Sequence, residues 1–355
     1  MTTTALRLHD RALGALYGLA LGDALGMPTQ ELPRSRAEQL LGAGPVLLAG
    51  PVDNPISAGL PAGSITDDTE QALVLARLLV EGAGRVDPGA LATALLDWHD
   101  VMATRGSLDL LGPTTLAALT AIRAGADPGV TGRGGSTNGA AMRVAPVGIA
   151  TPAGGPAGSA ARLAAAVADA GRPTHDSRDA NASAAAVAAV ISLGIDGASF
   201  GQAWPVALEV ADLAADLATP DDAARHELPD LIRRAIRIAA ESHRIGGVPA
   251  ALDAICAQVG TTLHSHESVP AAFAIAALAP DDAGAAAWYA ARLGGDADTI
   301  AAIAAAMVGA CTGASLLPAA ALATVRTVNR LDLAPLVEDL LALRRQLRGD
   351  VPQPL

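Results

Sequence analysis

Thr66, Asp67 and Asp68 stand at the mouth of an apolar helical run in GSITDDTEQALVLA, and Asp296, Asp298 and Thr299 open a second run in RLGGDADTIAAIAAAMVGA. Acids at a helix start have an ordinary explanation. Asp67 with Glu70 three residues later has the spacing of an N-cap and its returning acid, worth about 1 kcal/mol. One carboxylate meets that need and the second is surplus. In the second run two glycines precede the acids and let the backbone approach another element. If the two helix starts meet, five or six oxygen ligands converge, enough for one or two Mg²⁺ or Mn²⁺ ions with water completing the shells. The doublets in PDDAARHE and PDDAGAAA lack a glycine-rich approach or a threonine partner. They read as caps favoured by the helix dipole.

A third stretch, GRGGSTNGAAMR at 132–143, is a glycine-rich loop opening a helix. Successive backbone N–H groups in such a loop form a concave site for a phosphate or pyrophosphate. LHSHES places His264 and His266 two apart. With no third soft ligand nearby, it reads as a pocket-lining loop and not as a zinc site. His99, beside Trp98, reads as packing.

The elements that must position these residues are helical. Hydrophobic residues make up 51% of the 355-residue chain and aromatic residues only 2%. Burial therefore rests on alanine, leucine, valine and isoleucine, which favours closely packed helices over a sheet. Helical periods run over 9–26, 68–82, 88–104, 113–124, 138–150, 158–170, 178–194, 200–216, 228–241, 248–258, 268–278, 282–293, 297–312 and 335–347. The Pro/Gly-rich stretch LLGAGPVLLAGPVDNPISAGLPAGS is the least helical part and delivers the chain to Thr66. No internal repeat or low-complexity linker divides the chain, so the expectation is one all-α domain over 1–355.

The formal charge of −12 argues against binding a nucleic-acid backbone, which depends on cationic side chains displacing counterions. All the basic residues are arginine. Cys256 and Cys311 lie far apart with no CxxC, so neither a disulfide framework nor a zinc knuckle is expected. Arg7 and Arg11 before ALGALYGLALG have the outline of a signal peptide, but the run continues in helical rhythm into Asp23 without a cleavage site. The uncharged stretch from Thr299 to Val325 is mostly alanine and is interrupted by Gly309, Gly313 and Pro318, as in a buried core helix. A cytoplasmic protein with no membrane partner is expected.

GLALGDALGMP, TDDTEQALVLA, GGSTNGAAMR, THDSRDANASAA, HESVPAAFAI and GGDADTIAAI occur in an order that resembles the ADP-ribosylglycohydrolases, the group containing the dinitrogenase-reductase-activating glycohydrolase and J1-type lens crystallins. The resemblance runs from about Arg11 to Leu317. It implies a compact orthogonal bundle of helices holding two Mg²⁺ or Mn²⁺ ions and hydrolysing a glycosidic bond at the anomeric carbon of a ribose. The metal ligands it implies are Thr66, Asp67, Asp68, Asp296, Asp298 and Thr299. Gly135, Ser136, Thr137, Asn138 and Gly139 would cradle the diphosphate or distal ribose, His175 would lie near the base or the pocket edge, and Asp23 would support the site from behind. Two cations can chelate ribose hydroxyls and acidify a water for attack on an oxocarbenium-like centre.

Two departures stand out. Family members acting on ADP-ribosylated protein commonly carry a glutamate eight residues after the glycine of GD, where this chain has Gln30 followed by Glu31. An acid two residues before the GPTT-type helix start is displaced to Asp109, with Leu110 in its place. A neutral amide cannot act as a general base. That role then falls to Glu31, Asp109 or a metal-bound acid among Asp67 and Asp296. The first expected substrate is an ADP-ribose conjugate, free or on a protein. The alternatives are a smaller ribosyl compound such as a nucleoside, and a non-catalytic crystallin-like or immunity-type binding protein.

Overall fold

The computed structural model of the chain describes residues 3–42, 44–104, 111–155, 157–219 and 227–349, and these are organised as sixteen α-helices with no strand among them. The first eight are α1 (Thr3–Gly26), α2 (Arg34–Leu41), α3 (Asp67–Glu81), α4 (Pro88–Thr104), α5 (Pro113–Arg123), α6 (Gly139–Met142), α7 (Ala145–Ala150) and α8 (Ser159–Gly171). The rest are α9 (Arg178–Ile195), α10 (Phe200–Ala215), α11 (Leu228–Gln258), α12 (Ser265–Leu278), α13 (Ala283–Ala291), α14 (Ala297–Thr312), α15 (Ala319–Asn329) and α16 (Ala334–Arg348). Their buried apolar residues form one contiguous cluster from Ala12 to Leu343, as expected of an all-α bundle around a single core.

α1 and α14 form the axis of that core, and they touch backbone to backbone. A Cβ on Gly14 would lie 2.2 Å from the Gly309 carbonyl oxygen, one on Gly18 2.4 Å from that of Ala305, and one on Gly22 2.2 Å from that of Ala301. As position rises by four along α1 its partner falls by four along α14, so the two helices run antiparallel. Glycines four apart lie on one helix face. The last rung sets Gly26 against Ala297 and Asp298. The ladder thereby carries the end of α1, with Asp23, to the start of α14.

The expected helical spans are present with two differences. The span 138–150 is two helices, because the ring of Pro146 cannot coexist with a helical bond to the carbonyl of Met142, where α6 ends. The spans 228–241 and 248–258 are the two arms of α11, separate helical segments as expected, on either side of a kink where Gly246 and Gly247 leave helical geometry. α2 and α15 were not expected at all. α2 is a short polar helix after Pro33, and α15 buries only Val325, so neither has a strong apolar period. No helix of the described residues is long and apolar enough to cross a membrane. α14 is instead a buried core helix that stops at Gly313.

The ladder makes a stability prediction. Gly18→Val must force α1 off α14 and should cost more than about 3 kcal/mol in chemical denaturation, or prevent folding. Gly201→Ala, at an exposed α10 position where a Cβ meets nothing within 4 Å, should leave stability unchanged or raise it by up to about 1 kcal/mol. Equal effects at the two positions would refute the close contact.

Candidate active site

The two oxygen triplets meet. Asp68 is fully buried in the first turn of α3, and its Oδ2 lies 3.3 Å from both the Thr66 hydroxyl of its own approach and the Thr299 hydroxyl of α14. Its Oδ1 has no hydrogen-bond partner. Burial pushes the Asp68 carboxyl well above the usual carboxylate range, and repulsion from Asp298, Asp67, Asp23 and Asp296 adds to the shift. Five carboxylates thus gather at the junction of α1, α3 and α14.

Capping does not explain them. α3 begins at Asp67 with Thr66 in the cap position, so Asp67 is not the N-cap that its spacing to Glu70 suggests, and Glu70 instead accepts a bond from Trp98 Nε1 (2.5 Å). Asp296 occupies the cap position of α14 without a capping bond from its side chain. Asp282 behaves differently: its Oδ1 accepts the Ala285 N–H (2.9 Å) and caps α13, as the doublet in PDDAGAAA suggests. The doublet in PDDAARHE lies outside the described residues except for Glu227.

Asp23 anchors the approach to α3. Wholly buried, it accepts the Thr66 N–H (3.0 Å), the Thr66 hydroxyl (2.8 Å) and the N–H and hydroxyl of Thr69. Desolvation still outweighs these bonds and raises Asp23 to about 6. Asp296 is raised to about 6 as well, mainly by burial, with Glu31 adding repulsion and a bond from Asn138 opposing it.

Three glycine contacts bring the loops together. Gly294 and Gly295 adopt left-handed geometry (φ 67° and 61°), and the carbonyl oxygens of Leu32 and Thr261 occupy the places where their Cβ atoms would be. The Glu31 N–H donates to the Gly295 carbonyl (2.7 Å), seating the Gln30–Glu31 turn beside Asp296. Gln30 is 5% exposed; its carbonyl accepts from Asn54 Nδ2 (2.7 Å) and its Nε2 has no partner. Glu31 is exposed with a left-handed backbone (φ 59°). Asp109 and Leu110 lie outside the described residues.

The glycine-rich loop closes the other side. Asn138 N–H donates to the Leu263 carbonyl (2.9 Å), Ser265 N–H donates to the Ser136 carbonyl (3.0 Å), and Asn138 Nδ2 reaches Ser268 Oγ (2.9 Å) and Asp296. Gly135 and Gly139 have no room for a side chain, because a Cβ would strike the Thr174 carbonyl (2.4 Å) or the His175 ring (2.6 Å). His175 is fully buried beneath this loop, not at a pocket edge. Its ring nitrogens lie 2.8 Å from the hydroxyls of Thr137 and Thr174. Burial and the charge of Arg143 hold it well below the ordinary histidine range, so it is neutral. The His264 and His266 rings stack 5.5 Å apart on the neighbouring loop.

Arg143 is the residue that sequence reasoning missed. It is 1% exposed, links Gln71 to Thr174, and stays charged even though burial lowers it to about 10. An arginine at the end of GGSTNGAAMR within a predicted helix carries no signal of burial; Pro146, which ends that helix, was the available clue.

Carboxylates and threonine hydroxyls are the donor set of a hard divalent cation, and the orphaned Oδ1 of Asp68 is the kind of buried oxygen that such an ion satisfies. Among the described residues no three His, Cys, Asp or Glu side chains close into a ready-made metal cage. The oxygen chemistry therefore fits Mg²⁺ or Mn²⁺, with the acids gathered in one pocket but not drawn into a shell. A separate cleft of about 950 Å³ beside Trp98, Glu70 and Arg77 includes none of these acids. The converging carboxylates, not that cleft, mark the site.

A family profile described as ADP-ribosylglycohydrolase matches residues 4–350. The Escherichia coli (strain K12) protein YegU is 36% identical over 337 residues, 95% of this chain and 98% of its own. The ADP-ribosylarginine hydrolase Tri1 of Pseudomonas putida (strain GB-1) is 36% identical over 159 residues, 42% of this chain and 38% of its own. A solved structure titled ADP-ribosylglycohydrolase-related protein complex superposes with a TM-score of 0.62 at 27% identity, covering 96% of this chain and 99% of that one.

The raised carboxyls predict how stability depends on pH. Asp23 and Asp296 bind their protons more tightly folded than unfolded, so their effect on stability is most favourable below the ordinary value of 3.8 and is lost as pH rises through about 6. In chelator-treated protein the unfolding free energy should fall as pH rises across that window, and the raised carboxyl of Asp68 should contribute to the same fall. Asp23→Asn should flatten the slope. A rise in stability over the same window would contradict the assignment.

Proposed function

Because the chain belongs to the ADP-ribosylglycohydrolase family, we propose that it hydrolyses the bond between a ribose anomeric carbon and its leaving group in an ADP-ribose conjugate, with two Mg²⁺ or Mn²⁺ ions as cofactors. The single observation that carries the proposal is Asp68, a fully buried carboxylate with one unpartnered oxygen and four acids around it. Thr66, Asp67, Asp68, Asp296, Asp298 and Thr299 would hold the ions. When bound, such ions neutralise the acids and supply Lewis acidity for hydrolysis.

The chain's own groups do the positioning. Asp23 fixes Thr66 and Thr69, and so the angle at which α3 presents Asp67 and Asp68. Asn138 ties the glycine-rich loop to Asp296, so that the half-exposed Ser136 and Thr137 can meet the diphosphate or distal ribose next to the acids. No serine or cysteine nucleophile is needed. Gln30 can orient a group by hydrogen bonding but cannot take a proton. Glu31, whose charge reaches Asp296, is the general base available among the described residues outside the acid pocket.

Gln30 also favours a second reading, in which the substrate is a smaller ribosyl compound with a better leaving group. A panel of ADP-ribosyl-arginine, other ADP-ribose conjugates and nucleosides, each with Mg²⁺ and with Mn²⁺, separates the two. Turnover of none of them would sink the hydrolase proposal. ADP-ribosyl-arginine comes first because the Tri1 relative is named for it.

Asp298→Asn is expected to reduce turnover by more than about 100-fold and to weaken Mn²⁺ binding in calorimetry, with the helical circular dichroism unchanged. Undiminished metal affinity would remove Asp298 from the ligand set. Gln30→Glu is expected to raise kcat/KM on ADP-ribosyl-arginine by at least about tenfold relative to nucleosides. A fall on both substrates would show that the amide itself serves the reaction.

A further inference from the structure

We infer that Arg143 is a positioning residue whose guanidinium sets the direction of the hydrogen bonds in two buried arms, one presenting the Gln71 amide to Asp67, the other holding His175 as its Nε2–H tautomer so that the Thr137 hydroxyl offers its proton to the site. The purpose of the arms rests on the hydrolase reading. The bond directions do not.

A guanidinium only donates. In the first arm Nη1 donates to Gln71 Oε1 (3.2 Å), which leaves Gln71 Nε2 to donate to Asp67 Oδ2 (2.7 Å). The flipped amide would set donor against donor at one end and acceptor against acceptor at the other. Asp67 therefore receives a fixed donor on one oxygen.

In the second arm Nη2 donates to Thr174 Oγ1 (2.6 Å). Thr174 is completely buried, so its own hydroxyl proton must be used, and the acceptor beside it is His175 Nδ1 (2.8 Å). A neutral imidazole that accepts at Nδ1 carries its proton on Nε2. That proton points to Thr137 Oγ1, 2.8 Å away. Thr137 accepts, and its own proton is left for the half-exposed side of the loop. A hydroxyl locked in that sense suits an anionic oxygen and disfavours a ligand that must donate there. A lysine would supply point donors without the fork that reaches both arms at once.

The test is long-range ¹H–¹⁵N NMR on protein labelled with ¹⁵N-histidine, His175 being assigned by the resonance lost in His175→Gln. The expected wild-type spectrum shows His175 with a bare Nδ1 and a protonated Nε2; an Nδ1–H tautomer or an even mixture overturns the inference. Thr174→Val, nearly the same shape, should move the Nδ1 resonance toward that of a lone pair with no donor, and an unmoved resonance counts against the arm. Folded Arg143→Met should populate the Nδ1–H form, and an unchanged spectrum there removes Arg143 from its role. Finally, Thr137→Val should weaken ADP-ribose binding about tenfold, equivalent to roughly 1.4 kcal/mol, while Thr137→Ser binds as wild type does. Equal binding by Thr137→Val overturns the outward donor. A wild type that binds no ADP-ribose defeats the ADP-ribose reading of the site and leaves the tautomer result standing.

Discussion

The contact between the backbones of α1 and α14 is the constraint on which the rest depends. Four glycines spaced four apart on α1 remove every side chain from one face, and the carbonyls of Ala301, Ala305 and Gly309 fill the space. Such a seam cannot slide continuously. Moving α1 by one residue would put Ala15, Leu19 or Asp23 where only a hydrogen fits. The offset is therefore set, and with it the distance between Asp23 near the end of α1 and Asp298 at the start of α14. The site is held together by the register of two helices whose seam contains no catalytic side chain.

That register imposes an electrostatic cost. Asp23, Asp68 and Asp296 lose hydration, and the other four acids repel Asp68. The order of effects at Asp23 decides which wins: burial raises the group more than four hydrogen bonds lower it, and the net shift is upward. At Asp296 the bond from Asn138 is likewise outweighed by burial and Glu31. Hydrogen bonds thus orient these acids without neutralising them. Stability alone would favour apolar residues there, and that cost is why the proposed chemistry is placed on this cluster.

Much of this was legible in the residues. Thr66–Asp67–Asp68 and Asp296–Asp298–Thr299 stood out because they exceeded what a helix start requires, and the structure brings them together without using Asp67 or Asp296 as a cap. The all-α character followed from alanine and the near absence of aromatics. The glycine ladder was visible as a spacing of four in GALYGLALGDALG, but glycine in a helix reads as a weakness until its partner is known. α15 escaped because most of it is exposed, and α2 because it is short and polar. The resemblance implies His175 near the base or the pocket edge; in the structure Thr174 and His175 hydrogen-bond to each other and are buried whole, beneath the loop.

Arg143 shows why burial of a charge cannot be read from a one-dimensional pattern. In an unbroken helix over 138–150 it would be one polar position among apolar ones. Pro146 ends α6 at Met142, and the turn through Arg143 and Val144 places both inside the core. Removing a guanidinium from water is costly, and Nε finds no partner there, so the bonds to Gln71 and Thr174 do not fully repay the loss. The field of Asp67 offsets part of it. What the arrangement gains is direction. Hydroxyls, amides and neutral imidazoles can each be read either way round, and a buried network made only of such groups has several arrangements close in energy. One member that can only donate selects among them, and through Gln71 and Thr174 that selection reaches the acids on one side and the glycine-rich loop on the other.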